Sequence, residues 1–226
     1  MHIPDGYLGP ATCGVFYAVM LPIWTAASRI VKKTFKARQV PMLAIGAAFS
    51  FVIMMFNIPI PGGSYGHAVG GVLVAILLGP WAACIAITVA LVVQALLFGD
   101  GGITAIGANC FNIAFALPFG GYYVYKMLSF KSPIGSGMRI FAAGAAGYIG
   151  SNVAAILAGV EFGIQPALYH AVNGQALYCP YGLNIAVPAM AGGHLLIFGW
   201  VEAAVTALVV KYLQKQDPSL LKEVSG

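Results

Sequence analysis

The hydrophobic positions of this chain gather into stretches long enough for a helix of ~20 residues, the span of a bilayer core. They lie at about 10–30, 40–59, 106–125, 140–160 and 187–210. A sixth stretch, 68–98, is too long for one ordinary span. It contains Gly79-Pro80, and proline inside a helix removes a backbone bond and clashes with the preceding turn, so the pair marks a kink or a hairpin. A hairpin divides the stretch into 68–78 and 81–98 and brings the count to seven.

Charge chooses between six and seven. Arg29, Lys32, Lys33, Lys36 and Arg38 follow the first span, Lys126, Lys131 and Arg139 lie between the fifth and sixth, and Lys211, Lys215 and Lys222 occupy the tail. With seven helices all 11 basic residues fall on one side, which the positive-inside rule makes cytoplasmic; six would split them. The expectation is an all-α integral membrane protein of seven transmembrane helices, N-terminus outside and C-terminus cytoplasmic. The segment 68–78 is short, at ~1.5 Å per residue, and needs a thinned membrane or burial in protein. Residues 161–186, interrupted by Pro166, Asn173, Pro180 and Asn184, are read as an outside loop or lid.

Composition narrows the function. Hydrophobic residues make up 60% and charged residues 8%, with mean hydropathy +0.89, so a water-exposed surface cannot be built and a soluble enzyme is excluded. The net charge of +5 forms no basic stripe with interleaved aromatics, so no nucleic acid partner is expected. Cys13, Cys84, Cys110 and Cys179 are scattered and give neither a disulfide ladder nor a Cys-x-x-Cys metal site; they read as small packing residues. Nothing resembles a cleaved signal at the N-terminus, and the large His2 disfavours removal of the initiator methionine, so a free Met1 amine is expected. Residues 1–226 read as a single membrane domain with a loop at 1–9 preceding the first span.

The outside face then carries His2, Asp5, His67, Asp100, Glu161 and His170 without a lysine or arginine, a surface suited to receiving a cation. The Met1 amine, the His2 amide nitrogen and His2 Nδ1 can close a five-membered and then a six-membered chelate ring. That places three nitrogens in one plane, an arrangement that suits Ni(II) or Cu(II), whereas Mg or Ca prefers oxygen cages. His67, after the Gly-rich turn PGGSYGH, is a candidate fourth ligand; a solvated loop histidine is the plainer reading of the same residue.

MHIPDGYL, GGSYGHAVGG, QALLFGDGGITAIGANCFNIA and GHLLIFGWVEAAVTALV, in this order, resemble the CbiM/NikM family, substrate-binding S components of energy-coupling factor (ECF) transporters for cobalt and nickel. The resemblance runs from Met1 into the last helix. It implies one N-terminal helix added to a six-helix core, and a metal held by the Met1 amine, the His2 amide and imidazole, and His67. It also implies a transmembrane coupling (T) subunit and ATP-binding subunits as partners, with a small accessory membrane subunit as a further candidate. In S components an Ala-xxx-Ala pair on the first core helix meets the coupling subunit, which here is Ala44 and Ala48, a small-residue face of a kind common in membrane helices. Ser64, Asp100, Asn109 and Asn112 lie in family-like motifs, each either supporting the ligands or serving as a helix cap or interhelical hydrogen bond. His194 and Glu202 share a face of the last helix; His194 either lines the metal route or has a hydrogen-bonded structural role. His170 is a weaker candidate.

No GxxxxGK[ST] motif is present, so ATP would be hydrolysed by partner chains. The expected function is metal capture for an ATP-driven importer in a bacterial or archaeal cytoplasmic membrane, with Ni(II), or alternatively Co(II), as transported ligand and not as cofactor. An autonomous channel or carrier is the first competitor. A membrane metalloenzyme is the second, and four nitrogens leave it little room for a reacting group.

Overall fold

The computed structural model describes residues 1–35 and 39–221; Lys36, Arg38 and Lys222 lie outside them. Seven helical stretches account for most of the described residues: α1 (Pro10–Thr34), α2 (Val40–Met54), α3 (Gly71–Leu78), α4 (Pro80–Phe98), α5 (106–128), α6 (Gly137–Gly163) and α7 (Leu183–Gln216). Among them α1, α4, α6 with the turn that follows it, and α7 are each long and apolar enough to cross a membrane, while α2 is a shorter apolar helix. Their outward sides carry exposed Leu21, Ile45, Leu97, Leu196 and Trp200, an apolar exterior that water would penalise and lipid accepts.

Helix ends follow local chemistry. Pro10 opens α1, where its missing N–H costs nothing, and Lys32 and Lys33 close it against the negative end of the helix dipole. Between α3 and α4, Gly79 adopts φ +86° and Pro80 begins the next helix. The break stands at the expected pair, and α3 packs against α4, α5 and α6. All of α3 except Leu77 is buried, so this short helix sits inside protein. α4, α5 and α7 each contain a π-helical stretch, at Gln94–Phe98, Cys110–Ala116 and His194–Phe198, a feature frequent at functional sites.

Three boundaries differ from expectation. The helix expected over 40–59 stops at Met54 because Pro59 and Pro61 cannot continue it; Ile58–Pro59 instead pairs antiparallel with Tyr65–Gly66 in a short hairpin. The lid expected over 161–186 is shorter. α6 runs to Gly163 and a further turn, Gln165–Leu168, follows, because polar residues there find partners within protein: Asn112 Nδ2 donates to Glu161 Oε2 at 3.0 Å and Gln165 Nε2 donates to the Glu161 carbonyl at 2.8 Å. The last helix starts at Leu183 and extends to Gln216, beyond the expected 187–210.

Small residues let the inner helices touch closely. A Cβ on Gly150 of α6 would lie 2.8 Å from the Leu117 carbonyl oxygen of α5, and one on Gly147 would lie 3.0 Å from the Glu202 carbonyl oxygen of α7. The four cysteines are free and buried, as packing residues should be. α1 stands apart: only 11% of its most apolar window is buried, against 50% for α4 and α6, so it leans on the bundle from outside. At the end where α1 begins, the arm of residues 1–9, the hairpin, the 99–105 loop and the 169–182 segment converge.

Candidate functional site

The tip of the N-terminal arm does not lie on the surface. Met1, His2 and Ile3 are fully buried, a costly arrangement for an amine and an imidazole unless their polar atoms are used. Main-chain bonds hold the arm in place. Ile3 N–H donates to Asn109 Oδ1 at 2.8 Å, Asn109 Nδ2 donates to Ile3 O at 3.1 Å, and Gly102 N–H donates to the same carbonyl at 2.8 Å. The Asp5 carboxylate accepts the Ile103 and Thr104 amides at 3.1 and 2.9 Å. Beyond it, Tyr7 O accepts Cys179 N–H at 3.1 Å and Gly9 N–H donates to Gln165 Oε1 at 2.9 Å, which ties the arm to the outer segment.

The tip of the arm meets the hairpin. The Met1 amine donates to Tyr65 O, and Ser64 Oγ–H donates to His2 O. His67, next along the chain, is fully buried with its ring 4.6 Å from that of His2, stacked at 24°. His67 Nδ1 lies 3.0 Å from Ala68 O. A carbonyl only accepts, so Nδ1 carries the proton and Nε2 keeps its lone pair; that Nε2 is buried with no hydrogen-bond partner. On the other side of His2, Asp100 Oδ1 is 3.2 Å from Nδ1 but off the hydrogen-bond direction, so both ring nitrogens of His2 are also unpartnered. Asn57 Nδ2 donates to Asp100 Oδ2 at 3.1 Å and fixes the carboxylate.

These surroundings set protonation. Burial pushes the Met1 amine down from 8.0 to about 4, against a smaller upward pull from Asp100. Burial likewise lowers His2, opposed by Asp100, and takes His67 well below the usual histidine range. All three groups are neutral near pH 7 and present lone pairs, the form a metal requires. For Asp100, burial is the largest influence and raises the carboxyl, but His2, the N-terminal amine and Asn57 together outweigh it and hold it below the ordinary value, so it remains ionised. Among the described residues no three His, Cys, Asp or Glu side chains come together as a metal-binding group. With the imidazoles stacked, their in-plane lone pairs cannot meet at one point, so a shared ion requires His2 to turn.

Of the other residues singled out in the sequence, Ser64, Asp100 and Asn109 touch the arm. Asn112 does not: it faces Glu161. His194 is fully buried, with Nδ1–H donating to Met190 O at 2.8 Å and Nε2 unpartnered; it stands beside Phe198, whose ring packs on Gly66. His170 is exposed and bonds Pro166 O at 3.2 Å. Glu202 is fully buried and its Oε2 accepts the Val69 and Gly70 amides at 2.6 and 3.0 Å. It therefore caps α3 two residues past His67, a role the sequence left unassigned. Gln94 was missed. It is buried in α4, donates to Phe51 O at 3.3 Å, and its side chain also reaches the His2 ring; an amide alone in an apolar helix was the available signal.

Known proteins resemble this chain in sequence and in fold. The fused nickel transport protein of Rhodobacter capsulatus is 52% identical over 221 residues, covering 98% of this chain and 64% of its own length. The chain thus spans about two thirds of such fused relatives. A crystal structure of a transition metal transporter superposes with TM-score 0.91 at 55% identity over 95% of this chain and 93% of its own, and that of a truncated one with TM-score 0.90 at 54% identity over 94% and 98%. The family described as CbiM, cobalt uptake substrate-specific transmembrane region, matches residues 2–220, and the chain belongs to that family.

Proposed function

We propose that this chain is the metal-capturing S component of an ATP-driven ECF-type importer for Ni(II), with Co(II) as the alternative cargo. The observation that carries the proposal is the burial of a neutral N-terminal amine and His2 against His67, whose Nε2 lone pair is free. The Met1 amine, the His2 amide nitrogen and Nδ1, and His67 Nε2 then make four nitrogen ligands, and the deprotonated amide favours square-planar Ni(II). Ser64, Asp100 and Asn109 hold the arm and the ring from outside the ligand set. The names of the nickel-transporting relatives support the cargo.

In this reading the seven helices cross a bacterial or archaeal cytoplasmic membrane with the arm outside and the basic loops inside. α3 crosses only part of the bilayer thickness, within the protein. ATP is hydrolysed by partner ATPases joined through a transmembrane coupling subunit, with a small accessory membrane subunit as a further partner. Ala44 and Ala48 are exposed on the outer side of α2. Ala48 lines a shallow apolar cleft with Phe51, Val89 and Val93, which supports this face as the coupling surface. The test is the metal content and absorption spectrum of untagged protein. One Ni(II) per chain with a planar-nitrogen spectrum, lost in His2→Ala and His67→Ala but kept in His170→Ala, is expected; an octahedral spectrum, or binding that survives His67→Ala, overturns the ligand set.

A further inference from the structure

A cavity of about 360 Å³ leads from the surface to the arm, lined by Met55, Asn57, Tyr65, Gly99, Asp100 and His2 among others. His2 forms its floor at 1% side-chain exposure, and Asp100 stands at 14%. Other cavities, between α6 and α7 and between α2 and α4, have apolar linings; this one carries a carboxylate, an amide and an imidazole. Asp100 is aimed as well as present. Gly99 and Gly101, at φ +66° and +87°, bend the chain sharply on either side of it. Asn57 holds Oδ2, which leaves Oδ1 turned toward the unpartnered His2 Nδ1. Asp5 is the other acid nearby, and its oxygens are committed to the Ile103 and Thr104 amides.

We propose that this cavity is the mouth through which a divalent cation reaches the site, and that Asp100 is its capturing carboxylate, which meets the ion first and passes it to His2. The proposal rests on the metal-capture reading above and adds a route and an order of events. A hydrated divalent ion is drawn to a hard oxygen anion and exchanges water for it before it meets nitrogen donors deeper in the protein. The Asp100 charge also acts at a distance, in a mouth where the low-dielectric walls focus its field. Because Oδ1 already lies beside Nδ1, transfer needs no movement of the loop, only the turn of the His2 ring that coordination with His67 demands and the loss of the amide proton. Asp100 is a docking group, released once the nitrogens close around the ion.

The experiment is stopped-flow mixing of Ni(II) with the untagged full chain in detergent, followed by absorbance at low and high ionic strength. Association by the parent protein should slow as salt rises. Asp100→Asn should lower the low-salt association rate on the order of tenfold and flatten the salt dependence, with dissociation changed far less. Asp100→Glu, which keeps the charge, should retain the salt dependence. An association rate and salt slope in Asp100→Asn equal to the parent's would overturn the proposal, as would dissociation accelerated more than association is slowed, because the carboxylate would then belong to the bound state. Should Asp100→Asn not fold, parental association indifferent to salt overturns it equally. A parent protein that binds no Ni(II) at all overturns the metal-capture reading too, so the two failures are distinguishable.

Discussion

Gly102 of the 99–105 loop packs against the arm at Pro4 and Asp5, and substituting it tests whether arm placement controls metal binding. Its φ lies outside the left-handed region, so alanine there incurs no backbone strain and acts only through its added carbon. That Cβ would stand 2.4 Å from Asp5 N, 2.6 Å from Asp5 Oδ1 and 2.8 Å from Pro4 C. Ordinary contact begins at ~3.5 Å, so the arm must recede by roughly 1 Å. Three bonds then open: Gly102 N–H to Ile3 O at 2.8 Å, and the Ile103 and Thr104 amides to Asp5 at 3.1 and 2.9 Å. At ~1 kcal/mol each, less for the exposed Asp5 pair, the loss is about 2–3 kcal/mol. Metal binding linked to arm docking should weaken by that amount, on the order of 30- to 150-fold. Titration of Gly102→Ala with Ni(II), beside a thermal melt, reads both quantities: affinity should fall while the bundle melts near the parent's temperature. Gly120→Ala, whose Cβ meets nothing within 4 Å, serves as the control. Parental affinity in Gly102→Ala would refute the dependence on the arm.

Docking should depend on pH. The free amine titrates near 8.0 and the docked one near 4, so docking releases a proton between those values; it is fully favoured above 8.0 and weakens by ~1.4 kcal/mol per unit as pH falls toward 4. Hydrogen exchange at the Ile3 amide measures this, and protection constant from pH 8 to 5, after correction for intrinsic rates, contradicts it. Because the amine and imidazoles are already neutral, metal binding near pH 7 should release about one proton, from the amide; calorimetry in buffers of different ionisation enthalpy counts it. Glu202→Ala leaves the Val69 and Gly70 amides buried without an acceptor, at a cost of about 3 kcal/mol. It should lower Tm by several degrees, whereas Glu202→Gln lowers it less, and an unchanged Tm would show that the cap matters little. Ala44→Trp and Ala48→Trp should keep metal binding in the purified protein while uptake in cells carrying the partner subunits falls; transport that persists with the complex intact removes α2 as the docking face.

Much of the architecture was legible because apolar stretches of helix length and the Gly79-Pro80 break are written along the chain. The irregular features were not. Burial of Glu161 depends on Asn112 and Gln165, residues distant in sequence or a turn away, so its helix looked like the start of a lid. The hairpin around Gly62 is two residues per strand, too short for alternation to show. At the site, the order Met1-His2 and the Gly-rich approach to His67 carried the proposed ligands. The approach of Gln94 to His2, the grip of Glu202 on α3 and the stacking of the two imidazoles arise only from packing between helices, which no local pattern encodes. Asn112 failed as a neighbour of the arm for the same reason: one helical turn beyond Asn109, its side chain is directed to Glu161.

The central claim is that the first residue's amine and the amide after it are metal ligands. Its most direct test is Ni(II) affinity and stoichiometry of chains bearing one added residue before Met1 or an acetylated N-terminus, with circular dichroism as the check on folding. Loss of tight binding in a folded bundle is the predicted result. Undiminished affinity and one Ni(II) per blocked chain would contradict it.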